Sequence, residues 1–308
     1  MTEDTVRFVD AHHHLWNPVS ADPDVGYVWL RDIGAPKPFG DPTPIQRDYG
    51  IDEFQNESRQ TLVASVHVQA DGAIPDPVAE TRYVQALANQ QRLPMAVVGF
   101  VNLSSRDAER VLDAHAASPA FRGVRQIVAH VPTRPDISFS PRELLDDAGW
   151  RDRFSLLDER GLSFDLQAYP EQMPRFADFL ATHPTVPVAI DHCGCPWDQS
   201  AAGLERWRDG IRALAALPQC RMKISGLGMY NPGWTRNTAR AVLDTLFEVF
   251  GPDRLMFGSN YPVEKLARPY DAVLDDVVSV AGEAGDEACR AVLETVASAF
   301  YRLDTRAN

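Results

Sequence analysis

The most restrictive feature of this 308-residue sequence is a regular alternation of short apolar runs with longer amphipathic stretches. Strands that alternate with helices form parallel βαβ units. Helix-like segments separate most of the apolar runs, and two more, Tyr270–Ala281 and Glu287–Tyr301, follow the last run. The predicted strands are Val6–Asp10, Leu62–Gln69, Met95–Val101, Gly123–Ala129, Ser163–Ala168, Val186–Asp191, Arg221–Ser225 and Arg254–Gly258.

Eight strands, most of them followed by a crossover, favour a closed barrel over an open sheet. An open doubly wound sheet usually has a glycine-rich phosphate loop after its first strand, and this sequence has none there. Barrels of this kind commonly reach this length as one unit. The sequence therefore predicts an α/β fold, a single-domain (β/α)8 TIM barrel over residues 1–308.

Composition excludes several classes of function. The net charge of −13 argues against a nucleic-acid partner, because neutralising phosphates requires a basic face. The acidic start and the absence of a long apolar run predict neither a signal peptide nor a membrane span. Four scattered cysteines do not indicate a disulfide framework. We expect a cytoplasmic enzyme that acts on a small molecule, and a homodimer is compatible with the sequence.

Two irregular segments interrupt the repeat. Residues 17–47 are rich in proline, glycine and aromatic residues and stand where the first helix is expected. A long ordered loop at this position often caps a barrel mouth, although a surface excursion packed by its own aromatic residues needs the same composition. The loop from His130 to Asp147 allows the same two interpretations.

Polar side chains follow the predicted strands at the end where barrel enzymes place their active sites. The first strand is followed by His12 and His14, and the sixth by His192. Two histidines two residues apart on an extended strand project to the same side, and neutral imidazoles suit Zn²⁺ and similar ions. We therefore predict that His12, His14 and His192 can bind one divalent metal, zinc or manganese, with metal-free operation left open. His13 should point the other way and pack.

Other strand-end residues are candidates for binding the substrate: Gln69, Arg125, Gln167 and Tyr169. An arginine on an apolar strand needs an anionic partner, because burying it unpaired is costly. For Arg125, a substrate carboxylate and a structural ion pair are equally compatible with the sequence. Lys223 on the seventh strand poses the same choice, with a structural pair favoured.

The ordered motifs resemble those of amidohydrolase-related barrels. They are Asp10-Ala11-His12-His13-His14-Leu15-Trp16, Gly123-Val124-Arg125, Ile190-Asp191-His192-Cys193-Gly194, Lys223-Ile224-Ser225-Gly226-Leu227 and Met256-Phe257-Gly258-Ser259-Asn260-Tyr261-Pro262. They are most similar to the branch that holds fuconolactonase-like, rhamnonolactonase-like and pyrone-dicarboxylate-lactonase-like enzymes. This resemblance implies hydrolysis of a lactone, often one that carries a carboxylate, with His12, His14 and His192 in the site and Arg125 binding the substrate.

The sequence departs from that family at strand eight, where Asn260 replaces the usual catalytic aspartate. An amide cannot take a proton from water, although it can hold a water or a substrate oxygen by hydrogen bonds. Either the base has moved, or the reaction needs none here, or the chain is a binder or an inactivated variant. The candidates for a relocated base are His192, His67, His130 and Glu264, and relocation is the favoured hypothesis.

The sequence therefore supports three functions. The first is hydrolysis of a small, carboxylate-bearing cyclic ester, with His12, His14, His192 and Asn260 in catalysis. The second is a metal-dependent decarboxylase of the same superfamily, and the third is a ligand-binding barrel without catalysis.

Overall fold

Eight parallel strands form one sheet in which each strand pairs with its successor along the chain. The computed structural model describes residues 5–21, 26–72 and 75–306. Each predicted strand overlaps one of the observed strands, which confirms the prediction of a (β/α)8 barrel. The strands are β1 (Arg7–His13), β2 (Thr61–Val68), β3 (Met95–Gly99), β4 (Phe121–Val124), β5 (Ser163–Leu166), β6 (Val188–Ile190), β7 (Cys220–Ile224) and β8 (Leu255–Phe257).

The barrel closes between the end of β1 and the residues that follow β8. The Asn260 amide donates to the His12 carbonyl, and the His14 amide donates to the Tyr261 carbonyl, both at 2.7 Å. Gly258 allows this approach, since a Cβ atom there would lie 2.7 Å from the Cβ of His12. The closure brings the first and last motifs of the sequence into contact.

Two strand boundaries differ from the prediction in ways that affect the site. β1 extends to His13 because its end pairs with His67 of β2 and with Tyr261, whereas the sequence ended this strand at Asp10. β4 is shorter than predicted and ends at Val124. Arg125 therefore lies just beyond the regular strand, although its amide still donates to the Gly99 carbonyl at 2.9 Å.

Helices follow the strands as the periodicity predicts. The capping box of the 236–250 helix, formed by Thr235 and Thr238, satisfies backbone amides at its start. The helices are α1 (Val28–Arg31), α2 (Ile51–Gln55), α3 (Ala79–Gln90), α4 (Ala108–Ala116), α5 (Ala148–Glu159), α6 (Met173–Ala181), α7 (Ala201–Ala215), α8 (Leu227–Tyr230), α9 (Arg236–Phe250), α10 (Tyr270–Glu283), α11 (Asp286–Arg290) and α12 (Val296–Tyr301), with a π-helical turn at Ala291–Thr295.

The carboxyl-terminal helix α12 covers the end of the barrel where the strands begin. Arg122, near the start of β4, donates to the Tyr301 carbonyl at 3.0 Å, and Arg7, at the start of β1, pairs with Glu294. Apolar residues of α12 pack against the small side chains inside the barrel, such as Val9 and Ala11. This helix therefore closes the floor of the barrel and leaves the opposite end for the site.

Segment 17–47 forms irregular structure in its described part, with α1 and a 3-10 turn at Thr43–Ile45; residues 22–25 lie outside the described residues. Its Trp29 and Phe39 rings meet edge to face at 5.9 Å, and Trp29 meets the preceding Trp16 in the same way at 5.5 Å. Among the described residues, no helix combines the length and the apolar character that crossing a bilayer demands.

Candidate active site

The carboxyl ends of the strands surround a cavity of about 660 Å³. Six side chains that the sequence placed at strand ends lie on its wall: His14, Gln69, Arg125, Gln167, His192 and Asn260. His12 lies beneath this wall and is fully buried. Tyr169 does not reach the cavity wall, because its ring packs near Trp197 and Tyr230 and its hydroxyl donates to the Ile137 carbonyl at 2.6 Å.

The end of β1 directs His12 and His14 to the same side. The pairing of β1 with β2 is irregular between Asp10 and His13, and the two imidazole rings lie 5.2 Å apart. Nδ1 of His14 donates to the Val68 carbonyl at 2.7 Å, which leaves Nε2 as the acceptor of the neutral ring. Burial lowers the pKa of His14 well below its usual value, and the Arg125 charge lowers it further. His14 is therefore a neutral imidazole with its lone pair towards Asn260.

His13 faces away from the cavity, in line with its predicted packing role. Its ring stacks on Phe54 of α2 at a centroid distance of 3.9 Å and an interplanar angle of 14°. Among the residues that the structure describes, neither ring nitrogen of His13 has a hydrogen-bond partner.

Asn260 lies opposite His14, just after β8. Its φ of 57° is in the left-handed region, which asparagine tolerates better than most residues. The side-chain Oδ1 lies 3.3 Å from Nε2 of His14, and Nδ2 has no partner within the described part of the chain. Two acceptor atoms at this separation can share one water molecule that donates a hydrogen to each.

His192 follows β6 on a segment of strained backbone. The φ values of His192, Cys193 and Cys195 lie between 52° and 55°. The Ser225 hydroxyl lies 3.1 Å from Nδ1 of His192, and a Cβ atom on Gly226 would come within 2.5 Å of that nitrogen. Strain of this kind often occurs at functional sites.

The protonation state of His192 follows from its surroundings. Burial lowers its pKa to about 3, and the charges of Arg125 and Lys223 act in the same direction against that of Asp191. The ring is therefore neutral at physiological pH.

Four charged side chains form a buried network below the cavity. Nζ of Lys223 lies 2.5 Å from Oδ2 of Asp165 and 3.2 Å from Oδ1 of Asp191. Nη1 of Arg125 lies 3.5 Å from Oδ2 of Asp191. The other oxygen of the same carboxylate, Oδ1, lies 3.2 Å from Nδ1 of His12. Two cations thus balance two carboxylates. The sequence allowed either a structural ion pair or a substrate carboxylate as the partner of Arg125 and of Lys223. The structure shows a structural ion pair for both residues.

Asp191 is the site residue that sequence reasoning undervalued. Although burial alone would raise its pKa, Lys223 and then His12 hold the pKa well below its usual value, so Asp191 is an anion. It contacts His12, Arg125 and Lys223, three residues that the sequence did select. An acidic residue at the end of a buried strand, next to a candidate histidine, was the available signal.

Three donor atoms close to one another define a candidate metal group. Ligand atoms of His12, Asp191 and His192 all lie within 4.8 Å of one another, and all three residues are buried. Two imidazoles and a carboxylate are ligands that zinc and manganese accept. Oδ2 of Asp191 accepts no hydrogen bond from the described residues, so it retains a free lone pair. The donor set fits a divalent ion. This group contains two of the three predicted ligands, His12 and His192, together with Asp191, and metal binding by His14 remains a prediction.

The other candidates for a relocated base do not line the cavity. His67 is held between the Leu15 amide at 3.1 Å and Oε1 of Glu80 at 2.8 Å. Nδ1 of His130 donates to the Ser140 carbonyl at 2.9 Å. Oε1 of Glu264 accepts from the Gly228 amide at 2.8 Å, away from the cavity wall. Of the four candidates, His192 alone is on the wall.

Glu264 predicts a pH dependence of folding stability. Burial raises its pKa from 4.5 to about 7, against the hydrogen bonds from Gly228 and Trp234. The folded state binds this proton more tightly than the unfolded state does. The contribution of Glu264 to the free energy of unfolding is therefore full below pH 4.5 and is lost as the pH rises through 7. We expect the free energy of unfolding to fall by about 2–3 kcal/mol from this group between pH 5 and pH 8.

Urea denaturation at pH 5 and pH 8 checks this expectation. The Glu264→Gln variant should show a smaller change between the two pH values. The control is Glu283→Gln, at an exposed carboxylate whose pKa is lowered by Arg240 and which stays ionised over that range. An equal pH dependence in the wild type and in Glu264→Gln would contradict the assignment.

The two irregular segments contribute the rest of the cavity wall. Segment 17–47 supplies Trp29, Lys37, Pro38 and Phe39. The loop after β4 supplies residues 138–142 and Leu144. These contacts place both segments at the site, and a capping role for residues 17–47 remains a prediction.

Known proteins resemble this chain over nearly its whole length. A protein of Sinorhizobium fredii named as the uncharacterized protein y4mH is 33% identical, over 97% of this chain and 99% of its own. An L-fucono-1,5-lactonase of Burkholderia multivorans is 32% identical, over 86% of this chain and 85% of its own. A crystal structure of an amidohydrolase from Burkholderia multivorans with bound zinc has a TM-score of 0.78 at 28% identity, covering 97% of this chain and all of that one.

The family model described as amidohydrolase matches residues 9–303. This range runs from β1 to the end of the helix that closes the barrel floor, so it includes every strand end around the cavity. The chain therefore belongs to the amidohydrolase family.

Proposed function

We propose that this protein is a hydrolase that opens the ring of a small lactone. The pair formed by Nε2 of His14 and Oδ1 of Asn260, 3.3 Å apart on the cavity wall, is the observation that carries the proposal. Similarity to L-fucono-1,5-lactonases at 30–32% identity supports the same reaction class and favours it over the decarboxylase alternative.

In the proposed reaction, a water molecule donates one hydrogen to Nε2 of His14 and the other to Oδ1 of Asn260. Its free lone pair attacks the carbonyl carbon of the lactone while His14 accepts a proton. The ring C–O bond then breaks, and the leaving alkoxide takes the proton back from the His14 imidazolium, which restores the neutral imidazole. One water is added to one lactone, and the product is the open-chain hydroxy acid. Asn260 thus orients the nucleophile, and the proton goes to the imidazole instead of the missing aspartate.

Arg125 and Gln167 would stabilise the negative charge on the substrate. Nε of Arg125 and Nε2 of Gln167 have no hydrogen-bond partner among the described residues, and both side chains lie on the cavity wall. Buried donors that face a developing oxyanion lower the activation free energy of acyl transfer. A carboxylate on the lactone would also face Arg125. Comparing carboxylated with neutral lactones distinguishes whether Arg125 binds that carboxylate or stabilises the oxyanion.

A divalent metal would be held by His12, Asp191 and His192. Zinc in an amidohydrolase of similar structure and the donor set of this site support that assignment, and manganese accepts the same ligands. When bound, such an ion supplies Lewis acidity that polarises a carbonyl oxygen. The residues of the chain would still hold the water and accept its proton at His14.

A panel of lactones with a pH indicator tests the proposed function, because each ring opening releases one acid. The panel should include sugar-derived 1,5-lactones and carboxylated lactones, at fixed ionic strength and with and without added Zn²⁺ or Mn²⁺. Acid release that depends on the protein supports the proposal. CO₂ release from aromatic acids would favour the decarboxylase, and ligand binding without turnover would favour the non-catalytic barrel.

Two substitutions at Asn260 separate its role from that of a lost catalytic acid. We expect Asn260→Ala to lower kcat by about 10- to 100-fold with little change in KM, because an acceptor for the water is removed. Asn260→Asp keeps an acceptor oxygen and should retain more activity than Asn260→Ala. Steady-state kinetics checks both variants, and an Asn260→Ala enzyme with the kcat of the wild type would contradict the role of Asn260.

A further inference from the structure

The cavity is larger than a simple lactone ring requires. Its volume of about 660 Å³ lies within the range of pockets that enclose drug-sized ligands. The wall carries polar side chains from the strand ends, such as His14, Gln167 and Asn260. Other polar side chains come from the loops, such as Lys37, Ser138 and Arg142. Much of the remaining wall is apolar and comes from segments beyond the strands: Trp16, Trp29, Phe39, Phe100, Phe139 and Met229. We call these six residues the aromatic chamber, after the five aromatic rings among them.

A series of ring contacts connects the polar end of the site to this chamber. The His14 and Trp16 rings stack at 5.9 Å with an interplanar angle of 16°. Trp16 meets Trp29 edge to face at 5.5 Å, and Trp29 meets Phe39 in the same way at 5.9 Å. Mutual packing fixes these rings, so the wall is ordered from the candidate base outwards.

The polar atoms of the two tryptophans are turned towards the protein. Nε1 of Trp16 donates to the Arg47 carbonyl at 2.9 Å, and Nε1 of Trp29 donates to the Ala70 carbonyl at 3.0 Å. These hydrogen bonds use the polar atom of each indole. The half-buried Trp29 ring therefore offers apolar surface to a ligand, whereas the fully buried Trp16 ring supports it from behind. Lys37 and Arg142 are cations on this part of the wall, and the charge of Arg142 is balanced by Asp147 at 2.7 Å.

We propose that the aromatic chamber binds an apolar aromatic substituent of the lactone, so that the preferred substrate is an aryl-substituted lactone. This inference rests on the proposed function for the lactone part of the ligand. The lactone ring lies at the strand ends near His14 and Arg125, and the aryl group contacts Trp29 and Phe39. Aromatic rings favour edge-to-face and offset contacts with such a wall, and each contact adds to simple burial.

The experiment compares 5-phenyl-δ-valerolactone with δ-valerolactone. We expect the phenyl compound to have a kcat/KM at least about tenfold higher. Phe39→Ala should lower kcat/KM for the phenyl compound by about tenfold and leave that for δ-valerolactone within about twofold. Ile33→Ala, at an exposed residue of the same segment that is not on the cavity wall, is the matched control and should change neither value.

A binding measurement separates this inference from the proposed reaction. The probe is 6-phenyl-2-piperidinone, a lactam that keeps the ring and the phenyl group, with its affinity measured by calorimetry in the wild type and in Phe39→Ala. Binding that weakens in Phe39→Ala supports the chamber even if no lactone is hydrolysed, and in that case the proposed function alone fails. Hydrolysis of both lactones at equal kcat/KM would overturn the chamber and leave the proposed function intact. A preference that is lost in Lys37→Met and kept in Phe39→Ala would also overturn it, because a cation–π contact with Lys37, and not the aromatic chamber, would then hold the phenyl group.

Discussion

Asp191→Asn is expected to lower kcat by about 10²- to 10⁴-fold, because Asp191 holds His12 and Arg125 at the site and an aspartate-to-asparagine change beside a catalytic histidine can lower kcat by about 10⁴-fold. Asp191 contacts Nδ1 of His12 at 3.2 Å, Lys223 at 3.2 Å and Arg125 at 3.5 Å. An amide removes the negative charge and presents an N–H group to neighbours that are themselves donors. Lys223 then keeps its ion pair with Asp165, whereas Arg125 loses its carboxylate partner. We also expect the free energy of unfolding to fall by about 3–5 kcal/mol.

Steady-state kinetics and urea denaturation of the same preparation test both effects. The control is Asp136→Asn, which removes a carboxylate paired with Arg134 at 2.7 Å on the surface. Exposed ion pairs contribute little because water and salt screen them, so this variant should match the wild type in both measurements. A folded Asp191→Asn protein that keeps more than about a tenth of kcat would show that the network does not orient the site.

Lys223→Met should produce the second large effect, a loss of about 3–5 kcal/mol in the free energy of unfolding. Methionine is close to lysine in volume, so the packing is kept while the charge is removed. Asp165 and Asp191 are then left with Arg125 as the cation in contact with Asp191. Tyr301 still donates to Asp165 at 3.0 Å, but a single hydroxyl does not replace a charge.

The loss in Lys223→Met should grow as the pH rises. Burial already raises the pKa of Asp165, and Lys223 is the largest influence that lowers it. Without Lys223 the folded state binds the proton more tightly, so this group stabilises the protein at low pH and the contribution is lost as the carboxyl ionises. Urea denaturation at pH 5, 6, 7 and 8 measures the effect.

Lys265→Met is the matched control for Lys223→Met. Lys265 pairs with Glu53 and Glu57 near the surface, and its loss should cost less than about 1 kcal/mol. A difference between Lys223→Met and the wild type that stays constant or shrinks with rising pH would contradict the assignment of the buried pair.

The sequence predicted the barrel because the signal for it is local. Apolar runs and amphipathic segments can be read within a few residues, and their order implies parallel strands. Parallel strands all end at one rim, so His14, Arg125, His192 and Asn260 could be assigned to one site before their distances were known. The same logic did not place Tyr169 correctly, because its ring packs against Tyr230 and its hydroxyl donates to the Ile137 carbonyl away from the cavity wall.

What the sequence determined by itself is the barrel, the end at which the site lies and most of the polar residues around it. The tertiary structure decided which of these side chains contact one another. Tyr301 meets Asp165 across 136 residues, and His14 meets Asn260 across 246. Lys223 and His12 are 211 residues apart and lie within 3.2 Å. Such contacts depend on barrel closure, strand stagger and the helix across the floor, which no local pattern encodes. For this reason the histidines could be found from sequence, whereas the balanced charges that hold them could not.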